Sequence, residues 1–246
     1  MTLKQPIFYT AGDSPALVYA RNCLTGWGYD VSPIPTDHVT HLLLPVPSFA
    51  SPGILRGGRA LHDVLKDLEA QVTIIGGNLP SLPYQTVDLL KDEYYLTENA
   101  AITAHCALKR LLQSYPGTLQ HKPVLIIGWG RIGKYLASLL RCLGADVTVA
   151  ARKEADRYAL RRQQYRVTEP KSWDPQQYTI IINTAPAPLL HQDEAGADAL
   201  LMDLASTRGI LGDRVDHALA LPGRDAPEES GELIAKTALR YALGKE

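Results

Sequence analysis

Three glycines near the middle of the chain have the spacing of a nucleotide-binding turn. Gly128, Gly130 and Gly133 form the pattern G-x-G-x-x-G after a short apolar run and before a helical pattern. In such a turn the first glycine permits a tight bend, the second lets the backbone approach a pyrophosphate, and the third lets the helix pack on the strand. The N–H groups at the helix start, around Arg131 and Ile132, can then bind the anion. The pattern predicts a dinucleotide site, and a glycine turn without a nucleotide is the alternative.

Two cations follow the next predicted strand. Arg152 stands 19 residues after Gly133 and is followed by Lys153. Enzymes that use NAD usually carry Asp or Glu here for the ribose 2′-hydroxyl, whereas an arginine accommodates the 2′-phosphate of NADP. We therefore expect NADP rather than NAD. Solvated surface charges are the other interpretation of Arg152 and Lys153.

Polar residues also follow two later strands of the predicted sheet. Asn183, Thr184 and Pro186 end one strand, and Asp203 ends the next. Because ligands bind beyond the carboxyl ends of strands in a doubly wound sheet, we expect Asn183 and Thr184 to face the nicotinamide ribose. Asp203 either caps a turn or touches the nicotinamide carboxamide through its neighbours. An ordinary polar loop is the competing interpretation for this segment.

The elements that must position these residues alternate between short apolar runs and helical patterns. This alternation is typical of an α/β fold with parallel sheets. It predicts an N-terminal α/β domain over 1–95, with a closing helix over 227–246 packed on it, and a Rossmann NAD(P)-binding domain over 96–226. Thr97 is the expected N-cap of a crossing helix over 97–113. A helical turn over 215–218 and a strand over 218–221 are also expected.

Composition narrows the class of function. The chain has 25 Lys and Arg against 26 Asp and Glu, so it lacks the basic excess that phosphate contacts require, and nucleic acid is not expected as a partner. Three scattered cysteines favour a reducing compartment and predict no metal site. No apolar run is long enough for a signal peptide or a membrane span, so we expect a cytoplasmic protein with no membrane partner.

Several segments in order resemble one enzyme family. They are Gly12-Asp13, Leu43-Leu-Pro45-Val46, Thr97 with Ala101-Ile102, the glycine motif, Ala150-Ala-Arg152, Asn183-Thr184-x-Pro186, Asp203-Leu-Ala-Ser206, Leu221-Pro222-Gly223 with Ala226-Pro227, and Gly231. On these residues the chain resembles the A subunit of dipicolinate synthase. The nucleotide-binding domain of that family is similar to those of D-2-hydroxyacid dehydrogenases and adenosylhomocysteinases. The segments cover most of the chain, and the two around Asp203 and Pro222 are the more specific ones.

The resemblance implies an activity and a setting. It implies two doubly wound parallel-sheet domains with a cleft between them. It also implies NADP-dependent oxidation of a dihydropyridine dicarboxylate to dipicolinate, the acid that accumulates in spores formed during sporulation. The family implies a homo-oligomer, a dimer being the expected form, and it implies that the partner is a flavoprotein-like B subunit.

A dianionic substrate needs donors or cations for two carboxylates. The candidates are polar residues at expected strand ends and helix starts. Thr97, Asn99 and Ser206 are expected at the reacting centre, and Ser48, Thr207 and Arg208 at the substrate carboxylates. If a base is needed, the sequence offers His41, His105 and Glu98.

The chain departs from the family where the substrate should bind. Ser14-Pro15 follows Gly12-Asp13 where the family usually has an arginine, and Asn99 stands where it has a glutamate. These departures leave two alternatives open. One is a non-catalytic protein of a complex that binds a nucleotide or a partner, and the other is a reductase of another small carboxylic acid.

Overall fold

The computed structural model describes residues 5–244, and their contacts divide into two compact units. One unit contains the residues up to Ile102 and those from Pro222 onward, and the other is Thr103–Leu221. The boundary between Ile102 and Thr103 falls inside one long helix, Glu93–Ser114. Each unit is built around a parallel β-sheet, which confirms the expectation of two doubly wound domains.

The first unit begins with a succession of short strands and helices. In chain order these are β1 (Ile7–Thr10), α1 (Pro15–Gly26), β2 (Asp30–Ser32), β3 (His41–Leu43), β4 (Phe49–Ser51), β5 (Ile54–Leu55), α2 (Leu61–Leu65), β6 (Thr73–Gly76), β7 (Thr86–Asp88) and the long α3 (Glu93–Ser114). The main sheet has the order β2-β1-β3-β6-β7, and all of its neighbouring strands pair in parallel. This is the flavodoxin-like order, with its switch point between β1 and β3.

The second unit has more strands. They and their helices are β8 (Pro123–Ile127), α4 (Arg131–Cys142), β9 (Asp146–Ala150), α5 (Glu154–Arg162), β10 (Arg166–Thr168), β11 (Ile180–Asn183), β12 (Leu190–His191), β13 (Leu200–Asp203), β14 (Ile210–Leu211) and β15 (Asp216–His217). The chain then forms α6 (Leu221–Asp225) and α7 (Pro227–Ala242). The large sheet has the order β10-β9-β8-β11-β13-β15. Numbered within this sheet alone, that is 3-2-1-4-5-6, the order of dinucleotide-binding sheets.

Helix α7 returns the end of the chain to the first unit and packs on α1. Helix α1 starts at an N-cap, Ser14, whose hydroxyl accepts a hydrogen bond from Leu17 N at 3.2 Å, and Pro15 stands at its first position. The two helices meet at Gly231, where an added Cβ would lie 2.5 Å from the Ala16 carbonyl oxygen. A glycine is therefore required here by the close approach of two backbones.

Three expected elements are wrong. Helix α3 begins at Glu93, and Asp92 accepts a hydrogen bond from Tyr95 N at 2.6 Å, so Asp92 rather than Thr97 caps it. The expected helical turn over 215–218 is instead strand β15, and the expected strand over 218–221 leads into α6. The apolar run there is too short to separate a strand from a helix, because period alone does not distinguish them at this length.

Candidate functional site

The turn after β8 has the geometry that its glycines predict. Gly128 has a φ of +105°, and a Cβ there would lie 2.6 Å from Thr184 Oγ1. A Cβ on Gly133 would collide with the carbonyl oxygen of Gly128. Gly130 differs, because nothing lies within 4 Å of the position its Cβ would take. Two of the glycines thus serve the fold, whereas Gly130 borders open space beside the turn.

Helix α4 starts at this turn with no side chain to cap it. Gly130 is the N-cap, and the first helical bond runs from Lys134 N to its carbonyl oxygen at 3.0 Å. The first turn carries no acidic residue. Since helix N-termini present N–H groups and positive potential, an open N-terminus beside a residue without a Cβ fits a pyrophosphate. The residues present therefore fit a dinucleotide.

The turn after β9 carries the two expected cations. Arg152 and Lys153 are exposed, and Lys153 is the N-cap residue of α5. Arg157 holds this turn: its Nη1 donates to the carbonyl oxygens of Ala151 at 2.9 Å and Arg152 at 2.7 Å. Its Nη2 donates to Glu169 Oε1 at 2.8 Å. Sequence reasoning missed Arg157, because an arginine on a charged helix gives no signal of the carbonyl groups it contacts.

The side chain of Asn183 is bonded inside the protein. It is fully buried, and its Nδ2 donates to Asp203 Oδ1 at 2.8 Å and to the Ala185 carbonyl at 3.0 Å. The expected contact with the nicotinamide ribose is therefore corrected to a structural role for this amide. Thr184 is half-buried, and its hydroxyl donates to the Ile127 carbonyl at 3.1 Å, which ties β11 to β8. Pro186 follows on the exposed surface of the same loop.

Asp203 organises the loop that follows β13. Its carboxylate is 1% exposed, so it cannot itself touch a cofactor. Besides Asn183, it accepts hydrogen bonds from Ala205 N at 3.1 Å, Gly209 N at 2.7 Å and Ile210 N at 3.0 Å. These contacts support the turn-capping alternative for Asp203. They close the loop on itself and leave its tip outside.

That tip consists of three candidate residues. Ser206, Thr207 and Arg208 are all exposed. They lie between the two ends of the loop that Asp203 holds, at the carboxyl edge of the large sheet. The structure thus presents two hydroxyl groups and one guanidinium on a short, internally bonded loop.

A histidine that the sequence analysis did not select lies at the same edge of the sheet. Strand β15 pairs with β13 so that His217 lies opposite Asp203. Nδ1 of His217 is 3.9 Å from Oδ2 of Asp203, and the histidine side chain is 21% exposed. The neighbouring Asp216 forms a bidentate ion pair with Arg110 of α3. The sequence analysis missed His217 because it did not predict β15, and a strand of two residues leaves almost no pattern in the sequence.

Candidates in the first unit divide into buried and accessible residues. Ser48 is fully buried, donates to the Pro45 carbonyl at 2.8 Å and accepts from Gly77 N at 2.9 Å. Its expected role at a substrate carboxylate is corrected, because this hydroxyl joins two loops in the interior. Thr97 and Asn99 lie within the first half of α3, and both are partly exposed.

The histidines proposed from the sequence do not lie at a strand's carboxyl end. His41 is the first residue of β3, so it stands at the amino end, opposite the edge where ligands bind. Its Nδ1 is 2.8 Å from Thr40 Oγ1, and burial lowers its pKa. His105 is exposed in the middle of α3, and Glu98 lies nearer the start of the same helix.

The described residues also bear on metal binding and on membrane insertion. Across 5–244, no group of three or more His, Cys, Asp or Glu side chains is arranged to hold a metal ion. Within the same part of the chain, no helix combines the length and the apolar character of a membrane span.

Comparison with known proteins places the fold. No family model matches the sequence, and no curated protein matches it. Among solved structures, the dipicolinate synthase A protein from Bacillus halodurans matches with a TM-score of 0.83 and 18% identity, over 98% of this chain and 99% of that one. The A chain of dipicolinate synthase from Bacillus subtilis matches with a TM-score of 0.81 and 21% identity, over 99% of both chains.

A third solved structure shares the architecture more distantly. A transhydrogenase from Sinorhizobium meliloti matches with a TM-score of 0.70 and 15% identity, over 96% of this chain and 92% of that one. The resemblance expected from the sequence motifs is thus confirmed at the level of the fold. The chain has, over nearly its whole length, the two-unit α/β fold of the A subunit of dipicolinate synthase.

Proposed function

We propose that this protein is an oxidoreductase that binds NADP at the turn after β8. The observation that carries the proposal is the combination of Gly130 beside open space, an uncapped α4 and the 3-2-1-4-5-6 strand order. The structural relatives are a component of dipicolinate synthase and a transhydrogenase. Both relatives support a dehydrogenase-like, nucleotide-binding protein.

Different residues around the carboxyl edge of the large sheet would bind different parts of the cofactor. The turn of Gly128 and Gly130 and the N–H groups of Arg131, Ile132 and Gly133 would hold the pyrophosphate. Arg152 and Lys153 would hold the 2′-phosphate, since both are exposed beside the end of β9. The backbone of Thr184 and Pro186 would border the nicotinamide ribose. When bound, the cofactor supplies a nicotinamide C4 that accepts a hydride.

The proposed substrate is a small dicarboxylate, dihydrodipicolinate, which is oxidised to dipicolinate. Oxidation removes a hydride and a proton from the ring. Arg208, with Ser206 and Thr207 beside it, would bind one carboxylate. Thr97 and Asn99 remain candidates for contact with the reacting ring.

A proton acceptor is available at the same edge as this loop. A partly exposed imidazole at the edge where ligands bind is a suitable general base. His217 is 21% exposed there, with its Nδ1 3.9 Å from Asp203 Oδ2, so we propose His217 in place of His41, His105 and Glu98. Because aromatisation is strongly downhill, positioning contributes more than the strength of the base.

A non-catalytic, nucleotide-binding protein within a complex is the second candidate. The burial of Ser48, Asn183 and Asp203 favours it, because three side chains expected at ligands serve the fold instead. The Bacillus halodurans relative is itself one component of its synthase.

For this chain we propose both a homo-oligomer and partnership with a flavoprotein-like B subunit. Light scattering tests the homo-oligomer, and co-purification tests the partnership with the B subunit.

Fluorescence titration with NADPH and NADH tests the cofactor. The native protein should bind NADPH more tightly, and Gly130→Val should abolish binding of both, since its side chain would fill the space meant for pyrophosphate. Gly26→Val is the matched control, because nothing lies within 4 Å of that Cβ position either. Equal binding by Gly130→Val and the native protein would refute the placement.

Turnover distinguishes the two candidate functions. Native protein mixed with NADP and dihydrodipicolinate should reduce the cofactor, whereas a non-catalytic protein would bind NADPH and show no turnover. Reduction with another small carboxylic acid, and none with dihydrodipicolinate, would refute the proposed substrate and leave the cofactor site intact.

A further inference from the structure

We propose that Arg157 is a positioning residue that shapes the binding site of the 2′-phosphate and thereby sets the preference for NADP over NAD. The inference rests on the proposed function, because it concerns the adenosine end of the same cofactor site. Arg157 itself is not assigned a contact with the phosphate. It acts through the turn that carries Arg152 and Lys153.

The contacts of Arg157 span the whole turn. The residue lies in the first turn of α5, and side chains in a helix lean back toward its N-terminus. One nitrogen, Nη1, reaches the carbonyl oxygens of both Ala151 and Arg152, at 2.9 and 2.7 Å. On the other side, Ala151 N donates to the Thr168 carbonyl at 3.2 Å. The backbone of the turn is therefore held from two directions.

The far end of the guanidinium is anchored in the adjoining strand-end loop. Nη2 donates to Glu169 Oε1 at 2.8 Å, directly after β10, and the Arg157 side chain is only 11% exposed. The fork thus joins the ends of β9 and β10. A lysine cannot reproduce this, because its ammonium is a compact charge without a planar, bidentate fork. The charge of Arg157 is balanced by Glu169, so its role is geometric.

Geometry matters here because acidic residues follow the two cations directly. Arg152 and Lys153 are followed by Glu154, the first residue of α5, and by Asp156. A phosphate is favoured only where the two cations face it, whereas a carboxylate such as that of Glu154 suits the ribose 2′-hydroxyl of NAD. A turn held in one conformation presents the cations without a further ordering cost on binding. A loosened turn loses that advantage for the phosphate alone.

Calorimetric titration with two fragments isolates this end of the site. The probes are 2′,5′-ADP, which carries the 2′-phosphate, and 5′-AMP, which does not. Arg157→Lys should weaken the binding of 2′,5′-ADP by about tenfold and that of 5′-AMP by less than about twofold. The reason is that preorganisation of the turn is lost, and only the 2′-phosphate binds to the turn. Arg161→Lys is the matched control, since Arg161 lies on the same helix and stacks on Tyr158 instead.

A measurement without ligand and a milder variant complete the test. Hydrogen exchange at the Ala151 amide, which donates to the Thr168 carbonyl, should accelerate in Arg157→Lys and not in Arg161→Lys. Glu169→Gln keeps the guanidinium and removes its charged anchor, so it should show a smaller loss for 2′,5′-ADP in the same direction.

The outcomes separate the inference from the function it rests on. If native protein binds no 2′,5′-ADP, the NADP proposal fails. If native protein binds it and Arg157→Lys binds it equally well, the positioning role alone is refuted. An equal loss for both fragments in Arg157→Lys also refutes it, because a general disturbance of the fold would affect them alike.

Discussion

Replacing Asp203 by Asn tests whether one buried carboxylate holds the loop that presents Ser206, Thr207 and Arg208. Each carboxylate oxygen accepts two N–H donors: Asn183 Nδ2 and Ala205 N on one, Gly209 N and Ile210 N on the other. An asparagine keeps one acceptor oxygen and turns an NH₂ group toward the other pair. Two buried donors then lose their acceptor.

The expected cost follows from those two donors. A buried donor left without a partner costs about 1–3 kcal/mol, so the substitution should lower the free energy of unfolding by about 2–6 kcal/mol. Domains of ordinary stability have a free energy of unfolding of about 5–15 kcal/mol, so the effect is large enough to measure. A loop that rearranges to reach water would recover part of the loss and would also displace Arg208.

Urea unfolding followed by circular dichroism measures the loss, and Asp213→Asn is the control because Asp213 is exposed in the same region. The control should change stability by less than about 0.5 kcal/mol. An Asp203→Asn loss below about 1 kcal/mol would refute the reasoning, since it would mean that the four hydrogen bonds do not hold the loop.

Three further predictions concern packing and pH. Gly133→Ala should destabilise the protein by about 1–3 kcal/mol and weaken NADPH binding, because its Cβ meets a fixed carbonyl group; thermal unfolding and titration check both. Gly231→Ala should cost a similar amount because its Cβ would lie 2.5 Å from the Ala16 carbonyl oxygen, whereas Gly223→Ala, which meets nothing within 4 Å, should be much milder; equal urea midpoints would contradict this. Burial lowers the pKa of His41, so the unfolded state binds a proton first as pH falls below about 6.5, and stability should drop through that window until the folded pKa is reached. His41→Gln should lose less stability than the native protein between pH 7 and pH 5, and parallel losses in unfolding scans would count against a buried neutral imidazole.

The nucleotide turn could be predicted because its chemistry is local. The positive φ of Gly128 and the contact of a Gly133 Cβ with the Gly128 carbonyl oxygen are demands from within the motif, and its spacing carries them. The alternation of apolar runs and helical patterns likewise predicted two parallel sheets. One element boundary was predicted wrongly: helix α3 starts at Glu93 because Asp92 caps it, whereas the capping pattern pointed to Thr97.

The roles of polar residues around the turn could not be predicted in the same way. Asn183 and Asp203 end their strands and Ser48 lies in the loop after β3, where polar side chains often meet ligands, yet each is buried and bonded to backbone or to another side chain. Burial depends on what the rest of the chain places above a residue. His217 was missed because a two-residue strand leaves almost no pattern, and Arg157 because the carbonyl groups it contacts give no signal in the sequence.

The sequence by itself determined the class of fold, the place of the dinucleotide turn and the family it resembles, because these depend on periodicity and on contacts between near neighbours. Only the tertiary structure decided which polar groups face solvent and which hold loops together. The strand order brings Asp203 beside His217 and joins the ends of β9 and β10 through Arg157 and Glu169. Hydrogen-bond partners in such an edge are chosen by the pairing of strands, and that pairing is a property of the whole sheet.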